Sequence, residues 1–236
     1  LEGQLGYELN LDDEVNLISF YTLPEDRSIE NIIGEHSGNV TGIMAEGIAA
    51  AYLGGQWIGT LTEMNVESGY WILVNDPPLT LSGFGSDYNP DRIYELHSGV
   101  NLISYPALGA ADLSASIPDD VEGLFLAVIG QGTAAMNTDT DISNWVGSLT
   151  HFESGLGYWV IVSEDLSFSY ETGSISRAEI NHYVETRPSD DIFNVVQSPH
   201  QAFYFVDNIT LNEGLIEDGD WLLSYNGTVL TGIRQW

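Results

Sequence analysis

The stretch "NTDTD" places oxygen-bearing side chains at Asn137, Asp139 and Asp141, the alternation with which a calcium loop begins. An EF-hand loop also requires Gly at its sixth position and an acid at its twelfth, and here those are Ile142 and Ser148. The three residues therefore suggest a looser calcium site at most. The loop is an insertion relative to a related segment earlier in the chain, whose counterpart is a short "GGQ" turn, and inserted loops often carry function. A solvated acidic loop is the simpler reading. "EDGD" (Glu217, Asp218, Asp220) and "DDE" (Asp12, Asp13, Glu14) are explained by turn chemistry.

Other reactive residue types form no constellation. "LFLAVIGQGTAA" (Leu124 to Ala135) satisfies G-x-G-x-x-A, but the helix-averse "MNTDTDISN" follows where a dinucleotide fold needs a helix. A strand bend is expected there. His36, His97, His151, His182 and His200 are scattered, with no H-x-x-x-H spacing for zinc, and there is no G-x-S-x-G for a serine nucleophile. Carboxylates are too abundant for any one pair to point to glycoside hydrolysis. No catalytic residue and no organic cofactor is expected. Tyr88, Tyr183, Trp221 and Trp236 lie outside the repeated blocks described below. They are candidates for stacking on sugar rings, or for filling the core of the C-terminal segment or a domain interface.

Charge narrows the partners. Five Lys+Arg, all of them Arg, against 35 Asp+Glu give a net charge of −30. Such a surface repels nucleic-acid backbones and anionic lipids, while salt and divalent cations screen its self-repulsion. Polysaccharide and other domains of the same assembly remain as partners. No apolar stretch reaches the roughly 20 residues of a membrane helix, so no membrane insertion is expected. The absence of Cys removes disulfides and thiolate chemistry. Together these features predict an extracellular or cell-surface protein of a marine or salt-adapted prokaryote, with an acidic cytosolic domain as the alternative. The chain opens on Leu1, which suggests a processed or excised piece.

The elements that would position these residues are written twice. "WIGTLTEMNVESGYWILV" (57–74) returns 88 residues later as "WVGSLTHFESGLGYWVIV" (145–162), identical at eight of eighteen positions. Upstream, "YELNLDDEVNLISFYTLPE" pairs with "YELHSGVNLISYPALGA", "SIENIIG" with "LSASIPD" as a short helix, and "VTGIMAEGIAAAYL" with "VEGLFLAVIGQGTAAM" as a bent strand pair. A unit of about 85 residues used twice predicts tandem domains. In "GYWILV", Tyr70, Ile72 and Val74 fall on one strand face and Trp71 and Leu73 on the other, so this strand is expected between two layers. The helix supplies one of them. Gly69, Gly155 and Gly157 are expected to permit the turn into that strand, and Gly59 to leave room for an aromatic ring. The repeated tryptophans are read as core.

The pattern N-L-I-S-x-P, a short helix, W-x-G-x-L and G-x-G-Y-W-[VI] resembles a module found in tandem in bacterial and archaeal surface and secreted proteins. Val15 and Val100 stand where that module often has Trp. The resemblance covers about 1–172 and implies an extracellular, non-catalytic building block. The segment "QAFYFVDNITLNEGLIEDGDWLLSYNGTVLTGIRQW" resembles the opening half of a β-sandwich module of multidomain secreted bacterial proteins, through Gly219, Asp220, Leu222, Tyr225, Gly227 and Gly232. Roughly forty residues are too few for a whole sandwich, so either its remaining strands were removed or a strand from elsewhere completes it.

These readings predict a mainly β (α+β) chain: repeat module 1 at 1–86, repeat module 2 at 87–173, each with one short helix, then a linker and incomplete β-sandwich at 174–236. Asn226-Gly227 marks a hairpin. The expected function is a non-catalytic structural, spacer or assembly module of a larger secreted or surface protein. The alternative is a calcium-assisted carbohydrate-binding or adhesion module.

Overall fold

A computed structural model of the chain describes residues 4–12, 14–75, 79–141, 143–172, 209–211, 214–215 and 220–235. The fold is mainly β, with antiparallel sheets and only short helices. Among the described residues no helix is long and apolar enough to cross a membrane. Contacts divide the chain into two units, Leu1–Ile180 and Asn181–Trp236.

The first unit holds both copies of the repeat. Copy one runs β1 (Leu5–Leu11), β2 (Glu14–Ser19), α1 (Ile29–Ile33), a 3-10 turn (Gly34–Gly38), β3 (Val40–Ala45), β4 (Ile48–Leu53), β5 (Gln56–Gly59), β6 (Gly69–Val74) and β7 (Leu79–Gly85). Copy two runs β8 (Ile93–Leu96), β9 (Gly99–Ser104), β10 (Ala110–Asp112), α2 (Leu113–Ser116), α3 (Asp119–Glu122), β11 (Phe125–Gly130), β12 (Thr133–Asn137), β13 (Trp145–Gly147), β14 (His151–Glu153), β15 (Gly157–Val162) and β16 (Leu166–Ser169). The first forms a five-stranded sheet ordered β2-β6-β3-β4-β5, and the second repeats it as β9-β15-β11-β12-β13. Each copy also pairs its first strand with its last, β1 with β7 and β8 with β16. The G-x-G-x-x-A stretch is the hairpin turn between β11 and β12.

Each shared residue of the repeat has a local task. Leu61 and Leu149 are buried, and Trp57 and Trp145 pack on the margins of their cores. The Thr62 and Thr150 carbonyls accept the first helical N–H of Ile29 and Leu113 at 3.1 and 2.9 Å, amides that no turn of the helix itself can satisfy. The Ser28 and Asp112 side chains cap those helices. The buried Tyr70 and Tyr158 hydroxyls accept the N–H of Asn65 and Glu153 at 2.6 and 2.8 Å, fixing the loop before the strand. Burial pushes both phenols up from their ordinary pKa.

Gly59 differs from expectation. A Cβ there would lie 2.1 Å from the Ala49 carbonyl oxygen, and one at Gly147 would lie 2.1 Å from that of Ala134. The room is for backbone, not for an aromatic ring. The Ala49 oxygen accepts from Thr60 and Leu61, and the Ala134 oxygen from Ser148 and Leu149. The W-x-G-x-L pattern is thus a tight crossing that returns the chain to the core.

Two cores lie one in each copy, the second rich in rings such as Tyr105 stacked on Phe152 at 5.8 Å. Tyr70, Ile72 and Val74 face the first core as the alternation predicts. A third core contains Val15, Leu17, Trp71 and Leu102, with Met44, Leu73 and Trp159 at its edge. Trp71 and Trp159 therefore belong to no single module's core. The second layer over "GYW" is the other copy.

In the second unit, β17 (Thr210–Leu211) pairs with β18 (Gly214–Leu215), and β19 (Trp221–Asn226) pairs with β20 (Val229–Gln235). The Asn226-Gly227 signal does mark a hairpin, with Asn226 opposite Val229 and Gly227 at φ +63°.

Candidate functional site

The most elaborate constellation is the clasp between the copies. β2 and β9 are edge strands of their sheets, and an edge carries a row of unpaired N–H and C=O groups that need cover. Each copy covers the other's edge reciprocally. Ser19 N–H donates to the Gly155 carbonyl at 2.8 Å, and Ser104 N–H donates to the Glu67 carbonyl at 3.0 Å. Gly155 and Glu67 hold the same place in the two copies. Antiparallel bridges join Ile18 to Leu156 and Ser68 to Ile103.

Side chains from two hairpin turns complete the cover. Gln131, between β11 and β12, accepts the Leu17 N–H through Oε1 at 2.7 Å and donates through Nε2 to the Val15 carbonyl at 3.1 Å. Glu46, its counterpart between β3 and β4, accepts the Leu102 N–H through Oε2 at 2.9 Å. The Ser19 and Ser104 hydroxyls donate to the Leu156 and Val66 carbonyls at 2.6 and 2.5 Å.

The approach explains two invariant glycines of the repeat. A Cβ on Gly157 would stand 2.6 Å from the Ile18 carbonyl oxygen, and one on Gly69 would stand 2.8 Å from Leu102 Cδ1 and 3.0 Å from the Ile103 oxygen. They are required by the partner copy rather than by the turn. Gly155 alone of the three has left-handed backbone, at φ +84°.

Three ion pairs, Arg27–Asp87, Arg92–Glu67 and Glu46–His97, lie where the copies join. Asp87, in the segment between β7 and β8, accepts from Leu23 N–H at 2.7 Å, Thr22 Oγ1 at 3.2 Å and Arg27 Nη2 at 2.6 Å. Arg92 donates to Glu67 Oε1 and to the Asp87 carbonyl, both at 2.7 Å. Across the clasp, Glu46 Oε1 meets His97 Nε2 at 2.6 Å, while His97 Nδ1 faces the Ser98 carbonyl at 2.9 Å. Both ring nitrogens face acceptors, so both must carry protons and the imidazolium is the form that fits. The hydrogen bond to Glu46, then that to Ser98, raises the His97 pKa, and the Asp165 carboxylate adds to it.

Asn137 ends β12, is buried, and donates through Nδ2 toward the Glu122 carbonyl at 3.5 Å. Asp139 is exposed and its Oδ1 accepts from Asp141 N–H at 3.2 Å, the Asx turn of a surface loop. Among the described residues no three His, Asp or Glu side chains gather as a metal would need. Tyr88 is partly exposed, its ring edge-on to Tyr21 at 6.5 Å. Trp221 begins β19 and is half-buried. Tyr183 and Trp236 lie outside the described residues.

One surface depression has aromatic walls. It occupies about 660 Å³ over the β1–β7 ribbon and is lined by Gly6, Glu8, Tyr21, Ser82 and Phe84 among others. Phe84 is 67% exposed, and Tyr21 Oη donates to the Gly6 carbonyl at 2.9 Å.

Sequence reasoning missed Glu46, Gln131, His97 and the role of Gly69 and Gly157. The available signal was that both glycines persist although the turns preceding them, "NVES" and "ESGL", share no aligned residue. Compared with known proteins, the chain matches no family model, no curated protein and no solved structure.

Proposed function

We propose that the chain is a non-catalytic structural module, an assembly or spacer unit of a larger secreted or cell-surface protein of a salt-adapted prokaryote. The observation that carries this reading is the clasp. The residues shared by the two copies are occupied in two cores and in the contact that joins them, which makes a stiff double unit. The −30 charge fits an exposed location in salty water. Backbone relaxation of the ¹⁵N-labelled full chain tests it: residues 4–172 should share one rotational correlation time. Separate times for the two copies would refute the stiff unit, and turnover abolished by one carboxylate substitution would refute the non-catalytic assignment.

A second reading rests on the β1–β7 depression. Phe84 presents an open ring beside Tyr21 and Glu8, the pairing of an aromatic face with polar groups that sugar binding uses. A polysaccharide array with calcium and with chelator tests it. Binding lost in Phe84→Ala would favour this reading, and loss on chelation would add the calcium. Silence under both conditions would remove it.

A further inference from the structure

The two halves of the clasp differ at the positions where charge meets charge. Glu46 and Gln131 occupy corresponding turns of the two copies, and each reaches the edge strand of the other copy. On the two edge strands' leading turns, a second pair of positions corresponds. Asn16 exchanges two hydrogen bonds with the backbone of Asp12, both at 2.8 Å, and Asn101 makes the same exchange with His97 at 3.0 and 2.8 Å. Asp12 is therefore the counterpart of His97.

In the observed pairing Glu46 meets His97 at 2.6 Å, and the uncharged Gln131 serves the half that contains Asp12. If copy one met another copy one by the same geometry, Glu46 would confront Asp12, carboxylate against carboxylate. If copy two met another copy two, Gln131 would face His97 without a charge pair. Only the mixed pairing avoids the repulsion and gains the ion pair.

We propose that Glu46, His97, Gln131 and Asp12 are a pairing code, by which the face of copy one takes a second copy of this repeat bearing a basic residue at the His97 position and rejects its own kind. In a chain of net charge −30, repulsion between acids is the most available means of excluding a wrong partner. The apolar surface of Leu17, Trp71 and Leu102 supplies the attraction, and its residue types recur in the two copies, Leu17 as Leu102 and Trp71 as Trp159, so residue type there does not discriminate. The code goes beyond the structural-module reading, and it stands or falls separately from whatever larger assembly the chain belongs to.

Native-state amide exchange of the full-length chain tests the code. The N–H groups of Leu17 and Leu102 are held by the turn side chains of the other copy, so their exchange reports opening of the clasp, while amides inside β6 report integrity of the sheet. His97→Asp should speed exchange at Leu17 about fivefold or more, the scale of an exposed ion pair lost and a repulsion gained. Adding Glu46→Gln to that variant should bring the rate back within about twofold. Gln131→Glu, read at Leu102 and relieved by Asp12→Asn, tests the other half and serves if the first variant does not fold. Unchanged exchange in the single variants, or loss that the second substitution does not relieve, would overturn the code.

Discussion

Gly157→Ala is the sharpest perturbation of the clasp. The backbone there is not left-handed, so alanine can adopt it, and on chain entropy alone the substitution would stabilise by about 0.4–1 kcal/mol. The new methyl would stand 2.6 Å from the Ile18 carbonyl oxygen and 3.1 Å from Leu17 Cδ1. The first of these is main chain and cannot rotate away. Overfilling a packed contact costs about 1–3 kcal/mol, so a net destabilisation of about 1–2 kcal/mol is expected. Gly69→Ala should cost less, because its closest neighbour, at 2.8 Å, is the end of the Leu102 side chain. Gly38→Ala is the control: nothing lies within 4 Å of its Cβ position, and it should be neutral or slightly stabilising. Urea unfolding followed by tryptophan fluorescence measures all three, since Trp71 and Trp159 line the clasp. A Gly157→Ala protein as stable as the parent would refute the close approach as the reason for the glycine.

Two further outcomes follow from differences between the copies. Trp145 Nε1 donates at 2.8 Å to the buried Glu122 carboxylate, whereas the buried Trp57 Nε1 meets no acceptor; Trp145→Phe should therefore cost about 1–3 kcal/mol and Trp57→Phe almost nothing by the same unfolding assay. The raised His97 pKa gives a contribution present in full below the ordinary value of 6.5 and lost as pH rises through the higher folded value; the charged groups concerned are Glu46 and Asp165, so the urea midpoint should fall from pH 5.5 to 8.5 in the parent and less steeply in His97→Gln.

Much of the interior was legible because it depends on periodicity. The duplication, the mainly β character, and the inward set of Tyr70, Ile72 and Val74 all follow from alternation and turn signals. A strand apolar on both faces announces a second layer but does not say what provides it, and that is why Trp71 and Trp159 read as module core. Glu46 and Gln131 sit in "AEGI" and "GQGT", which are ordinary hairpin turns until an edge strand is placed beside them. Gly69 looked like a turn residue because its neighbour in space, Ile103, is 34 positions away. The alternation of Asn137, Asp139 and Asp141 carries no information about burial, and the first of them lies in a strand with its side chain buried.

The pairing of each copy's first strand with its last sets how the unit would respond to tension. Leu5 lies opposite Gly85, and Ile93 opposite Ser169, so a pull applied at the two ends of either copy acts at the same end of an antiparallel ribbon. Its hydrogen bonds then open one after another, like a zipper, instead of sharing the load as they would in shear. Peeling β1 from β7 would release fourteen strand residues, seven from each, or about 50 Å of slack at roughly 3.3–3.6 Å per residue.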